Sequence, residues 1–171
     1  MLLVLGTSSD AQSDQTVIVF QPEIRFTVTA PNGWANDEES AKEMRLVSAF
    51  HPADSKWTTA PVVMYVNYSF KTDSNQTLES VMDRDVNTFK AKAKGVKVSK
   101  EPSLFTFPQG REARVISYRG GEFNNFEHVA YIDEGLYVVM FVIGARNAKQ
   151  LENNLPAFNR MVQSYYDLSA D

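Results

Sequence analysis

The side chains best suited to acid–base or metal chemistry near neutral pH are the two histidines, His51 and His128, and such a reading would join them to Glu127 and Asp54. The arrangement is poor. Glu127 and His128 are neighbours in a stretch that reads as a strand, where successive side chains point to opposite faces. His128 is therefore read first as a structural histidine hydrogen-bonded on a sheet, and His51, ahead of Pro52, as an exposed strand end. Serines abound, but no Gly-x-Ser-x-Gly segment presents one as a nucleophile, and a Ser/His/acid triad is a question of geometry. Gly120-Gly121 leads into Glu122, an acid that repels anions, and opens no helix, so it lacks the character of a phosphate loop. Asp133-Glu134 brings too few oxygen ligands for calcium. No catalytic residue, metal site or cofactor is expected.

Aromatic residues are the stronger candidates for function. Trp34, Trp57, Tyr65, Tyr68, Tyr118 and Phe123 include several in or beside loops, where a binding surface can use them, although core packing explains most aromatics. Trp57 stands out. It lies in the polar, proline-bounded stretch Pro52 to Pro61 with no evident core to join. The expected binding surface draws on Trp34, Trp57, Tyr65, Tyr68 and His128.

Composition narrows the classes of partner. A net charge of −4 over 171 residues gives no basic footprint for nucleic acid, and the lysines at 90, 92, 94, 97 and 100 read as a solvated face. With 43% hydrophobic and 12% aromatic residues the chain suits one folded domain that needs no disulfide or metal. There is no cysteine, which removes thiol nucleophiles, Cys-ligated zinc and lipidated cysteine together. No apolar run reaches the roughly 20 residues of a membrane span. Met1 to Gly6 followed by Thr7 to Gln12 resembles the tail of a secretory signal, with Ser9 and Ala11 placed as at a cleavage site, but it lacks the charged start and has a short apolar core. Residues 1–16 are expected to be a flexible segment carrying this signal remnant, and 17–171 the folded domain. An exported protein is the favoured expectation, a cytoplasmic one the alternative.

The elements that must position these residues are read from period and punctuation. The organising stretch is Phe126 to Ile143, two strands folded about Asp133-Glu134-Gly135, where glycine can adopt the positive φ of a hairpin turn. From Leu136 to Ile143 every residue is apolar, so the second strand is expected to need cover on both faces. Further strands are expected at Val17 to Phe20, Ile24 to Thr29, Met44 to Phe50, Pro61 to Phe70, Val96 to Val98, Ser103 to Phe107 and Arg111 to Tyr118. Asn36 to Lys42 suits one helical turn or a loop. Leu78, Val81, Met82, Val86 and Phe89 recur at helical spacing, with Thr77 or Asn75 as cap, lysines in the last turn and Gly95 beyond it. A last stripe, Leu151, Leu155, Phe158, Met161, Val162 and Tyr165, covers the hairpin's second strand. Pro156 is expected to split its helix, with a bend near Asn154.

Three landmarks resemble the PsbP-like superfamily: the alternating strand ending in a Pro-x-Gly-Trp turn (Ile24 to Trp34), the helix opening Thr77-Leu78-Glu79-Ser80, and the closing run Leu155 to Tyr165. Members of that superfamily include the extrinsic P subunit of photosystem II, a yeast Ran-binding release factor and bacterial envelope proteins. The resemblance implies an α+β fold, a single-domain α/β/α sandwich whose mainly antiparallel sheet is flanked by helices. It also implies a non-enzymatic role in binding a protein partner, and carries over no catalytic motif. Against this stand two alternatives: a small-ligand binder or hydrolase with a pocket between sheet and helix, and a cytoplasmic partner of a GTPase.

Overall fold

The computed structural model describes residues 15–21, 24–73, 75–107, 111–122 and 124–168. The signal-like stretch from Met1 to Gln12 and the aromatic Phe123 lie outside them. Among the described residues the elements run β1 (Thr16–Gln21), β2 (Ile24–Thr29), β3 (Trp34–Asn36), α1 (Glu38–Met44), β4 (Ser48–Pro52), β5 (Val62–Phe70), α2 (Leu78–Lys92), β6 (Val96–Thr106), β7 (Glu112–Gly120), β8 (Asn125–Asp133), β9 (Tyr137–Ala145), α3 (Ala148–Gln163) and β10 (Tyr166–Asp167). They form a seven-stranded sheet, β3-β4-β5-β9-β8-β7-β6, and a three-stranded sheet, β1-β2-β10. Every pairing in both is antiparallel.

The central position of β9 follows from its composition. Tyr137, Val139, Phe141 and Ile143 enter one core with the β2 residues Ile24, Phe26 and Val28 and the α3 residues Leu151, Phe158, Met161 and Val162. Val138 and Val142 enter a second core with Val81, Met82 and Val86 of α2. The large sheet thus lies between α2 on one face and α3 with the small sheet on the other, the expected sandwich. β9 is flanked by β5 and β8, so its backbone is paired on both edges. Its apolar run begins one residue later than expected. Leu136 is 67% exposed because it sits at the hairpin tip beside Gly135 (φ 76°), ahead of the first ladder residue.

Several local expectations shift. Thr16, expected in the flexible segment, opens β1 opposite Thr29. The strand expected at Met44 starts only at Ser48. Asp37 caps α1 by accepting from the Ser40 backbone N–H, and the helix then runs to Met44, where Arg45 closes it in the left-handed region. The two extended pieces around Pro102 are one strand, β6, with a register irregularity between Glu101 and Phe105. Pro156 does not divide α3, which runs unbroken from Ala148 to Gln163. The carbonyl left without a donor, that of Glu152, sits at an exposed position where water can serve it, and the buried stripe holds the rest of the helix.

Candidate functional site

The five residues singled out in the sequence do not share one surface. Trp34 is 5% exposed, in the core shared by the two sheets. Tyr68 packs against that same core, its ring edge-on to Phe70 at 5.5 Å. Tyr65, three residues earlier on β5, points to the opposite face, toward α2. His128 is 8% exposed and faces away from α2, because its neighbour Val129 fills the α2 side. Only Trp57 and Tyr65 meet, in an edge-to-face contact with ring centroids 6.4 Å apart at 67°.

Trp57 stands over an open cleft of about 430 Å³ at one end of the large sheet. Its lining includes Val63 of β5, Phe126 and Glu127 of β8, and Gly144 and Arg146 at the end of β9. Gly144 is the middle of a row, paired with Val63 on one side and Glu127 on the other. A Cβ there would come within 3.6 Å of the Glu127 Cγ, so the missing side chain opens the floor between the two neighbours. Arg146 donates from Nη2 to the Thr59 carbonyl at 3.0 Å and so ties the Trp57 loop to the strand end. The indole is half-buried, with Tyr65 beneath one edge. An aromatic plane fixed over an open cleft is the arrangement that anchors protein interfaces.

A second, smaller cavity of about 200 Å³ lies between α2 and the large sheet. Tyr65, Phe89 and Tyr118 supply aromatic walls, and Asp85 and Glu127 supply carboxylates. Glu127 also lines the Trp57 cleft, so the two spaces adjoin. Phe89 and Tyr118 stack at 4.3 Å. The Tyr131 and Tyr118 hydroxyls both donate to Asp85 Oδ2, the latter at 3.4 Å. Burial, together with the nearby Asp85 and Glu127 charges, holds the Tyr65 and Tyr118 phenols well above their usual range. Asp85 is a charged residue beside the apolar stripe of α2. Its spacing of four from both Val81 and Phe89 was the available signal that it borders that stripe.

His128 belongs to a polar cluster on the other face. Ser117 Oγ lies 3.1 Å from His128 Nε2 and also donates to Glu101 Oε1 at 3.1 Å. Burial, then the Arg119 charge, pushes the His128 pKa down, while hydrogen bonds from Ser99 and Ser117 hold the Glu101 carboxyl below its usual range. The serine stands between acid and imidazole. In a hydrolytic triad the imidazole stands between, where the acid can orient it and stabilise its protonated form. The cluster thus has the connectivity of a hydrogen-bonded network on the sheet and not that of a triad.

His51 is not the exposed strand end that was expected. Its side chain is 12% exposed, with Nε2 3.6 Å from Asp37 Oδ2 and Nδ1 2.9 Å from the Pro52 carbonyl oxygen. The hairpin tip likewise carries more than solvent-facing polarity. Arg111 Nη2 contacts Glu134 Oε2 at 2.9 Å and Asp167 Oδ2 at 2.5 Å, with both acids almost wholly buried, and Tyr165 donates to Glu134 Oε1 at 2.7 Å. Burial raises the Glu134 pKa. The ion cluster pins β10 and the tip together. Its members are far apart in sequence, so no local pattern announced it. Among the described residues no group of three or more His, Asp or Glu could hold a metal, and no helix is long and apolar enough to cross a membrane.

No family model and no curated protein matches the chain by sequence. Solved structures do. Cyanobacterial PsbP (CyanoP) from Synechocystis superposes with a TM-score of 0.62 at 15% identity, covering 97% of this chain and 98% of that one. The Saccharomyces cerevisiae Ran-binding protein Mog1p gives a TM-score of 0.56 at 12% identity, covering 91% of this chain and 95% of that one. At such identities the likeness is one of fold. These superpositions show that the chain has the PsbP-like fold, shared with Mog1p.

Proposed function

We propose that this protein is a non-enzymatic interaction module that binds another protein at the cleft beneath Trp57. The observation that carries the reading is the half-buried indole, propped on Tyr65 above a floor that Gly144 leaves open. An aliphatic or aromatic side chain inserted there would lie between the indole and Phe126, with Glu127 and Arg146 at hand for the polar rim of an interface. The fold shared with a Ran-binding protein is a second support for a protein partner. Co-purification from the native host, with the captured proteins identified by mass spectrometry, tests the proposal. Wild type should retain a partner that Trp57→Ala releases while the variant keeps its fold.

Work outside the cytoplasm is part of the same proposal, supported by the signal-like pattern from Met1 to Ala11. Sequencing the mature N-terminus of the protein from its host decides between export and the cytoplasmic, GTPase-partner alternative. A chain that begins near residue 12 favours the first; an intact Met1 in a cytoplasmic fraction favours the second.

A further inference from the structure

Beside the Trp57 cleft, the cavity between α2 and the large sheet has a chemistry of its own. Its aromatic walls are the rings of Tyr65, Phe89 and Tyr118, and its polar end holds the carboxylates of Asp85 and Glu127. Ring faces are negative, and so is the Asp85 carboxylate, and both favour positive charge. The side chains around it do not supply that charge to Asp85. Arg84 donates to the Ser69 hydroxyl at 3.0 Å, Lys100 pairs with Asp83 at 2.9 Å, and Arg114 pairs with Glu79. Asp85 makes no ion pair among the described residues, and both tyrosine hydroxyls that reach it address Oδ2, leaving Oδ1 without a hydrogen-bond donor among them. An ionised carboxylate can accept several more hydrogen bonds.

We infer that this cavity binds an organic cation, a guanidinium or alkylammonium group, between the Tyr65 ring and the stacked Phe89–Tyr118 pair, with Asp85 as its counter-ion. Size and charge exclude the competitors. A volume of about 200 Å³ takes the end of an arginine or lysine side chain and is below the range of drug-sized ligands. Two carboxylates are too few for calcium, and they repel anions. The inference stands without the Trp57 reading. If the cation is carried by a protein, the adjoining cleft is where the rest of that protein would dock, and to that extent it rests on the proposed function.

The test is calorimetric titration of the full chain with N-acetyl-arginine methylamide and n-butylammonium, with citrulline and n-butanol as uncharged controls, and with a pooled set of peptides each bearing one Arg or Lys. The cations should bind saturably, the controls should not, and Asp85→Asn should weaken binding by about tenfold or more while keeping acceptor capacity for both tyrosines. Should that variant fail to fold, Phe89→Leu removes an aromatic wall at nearly constant apolar bulk and should weaken binding in the same direction. Binding of the free cations makes a small amine or guanidine the ligand. Binding of the peptides alone makes it a partner's side chain. Leu136→Ala, at the exposed hairpin tip, should leave the free cations' affinity unchanged, a control that ties binding to this cavity. Absence of saturable binding by cations and peptides up to about 10 mM, or equal affinity in the wild type and both variants, overturns the inference.

Discussion

The hydroxyl of Tyr131, on β8, donates to the carboxylate of Asp85, on α2, and ties that strand to the helix. The Tyr131 ring is fully buried where the helix meets the sheet, and Asp85 is half-buried beside it. A hydrogen bond to a charged acceptor in such a setting contributes about 1.5–3 kcal/mol, and Tyr131→Phe should cost that much in urea denaturation. A change below about 0.5 kcal/mol would mean that this hydrogen bond adds nothing measurable to the hold on α2.

Phe141 and Leu136 separate burial from composition within one apolar run. Phe141 is fully buried, and its ring meets Tyr165 at 5.8 Å; Leu136 is 67% exposed. Phe141→Ala should lose about 3–5 kcal/mol through the cavity it leaves. Leu136→Ala should stay within about 0.5 kcal/mol of wild type, by the same equilibrium measurement.

These two residues also show how far the sequence was legible. The β8–β9 hairpin, α2 with a cap at Thr77 or Asn75, and the two-sided cover of β9 follow from period and turn chemistry, and the structure uses Thr77. What was missed is non-local or depends on one residue. Met44 was assigned to a strand because the competing signal, the Asp37 cap, occupies a single position. Trp34 and Trp57 are both loop-adjacent in sequence, yet one fills the core and the other overhangs a cleft, a difference set by strand pairing at Trp34–Pro52. Gly144 carries no side-chain signal at all, and its part in the cleft is visible only once Val63 and Glu127 flank it.

His128 should make stability depend on pH. Its pKa is lowered in the fold, so between that value and the ordinary 6.5 the unfolded chain binds a proton that the native chain does not. Stability must then fall as pH drops through about 6.5, the contribution being present in full only above it. Glu134, whose pKa is raised, acts with the opposite sign just above 4.5, so the comparison is with a variant rather than an absolute slope. His128→Gln, which can still bond Ser117, should flatten the dependence of the urea midpoint between about pH 5 and 7. An unchanged slope would place the titrating group elsewhere.

Filling the cleft is a cleaner perturbation than emptying it. Gly144 lies within a strand, where glycine is unfavourable and valine favoured, and the nearest side-chain atom would lie at ordinary contact distance from a new Cβ. Gly144→Val should melt at or above the wild-type temperature in calorimetry while closing the floor under Trp57. A variant that melts well below wild type would show that the row between Val63 and Glu127 is already full.

The direct measurement of the central claim is quantitative capture of the native partner by three folded proteins: wild type, Trp57→Ala and Gly144→Val. The account predicts that one partner is retained by wild type and lost by both variants, since one removes the overhanging indole and the other fills the space beneath it. Equal capture of every partner by all three would contradict it.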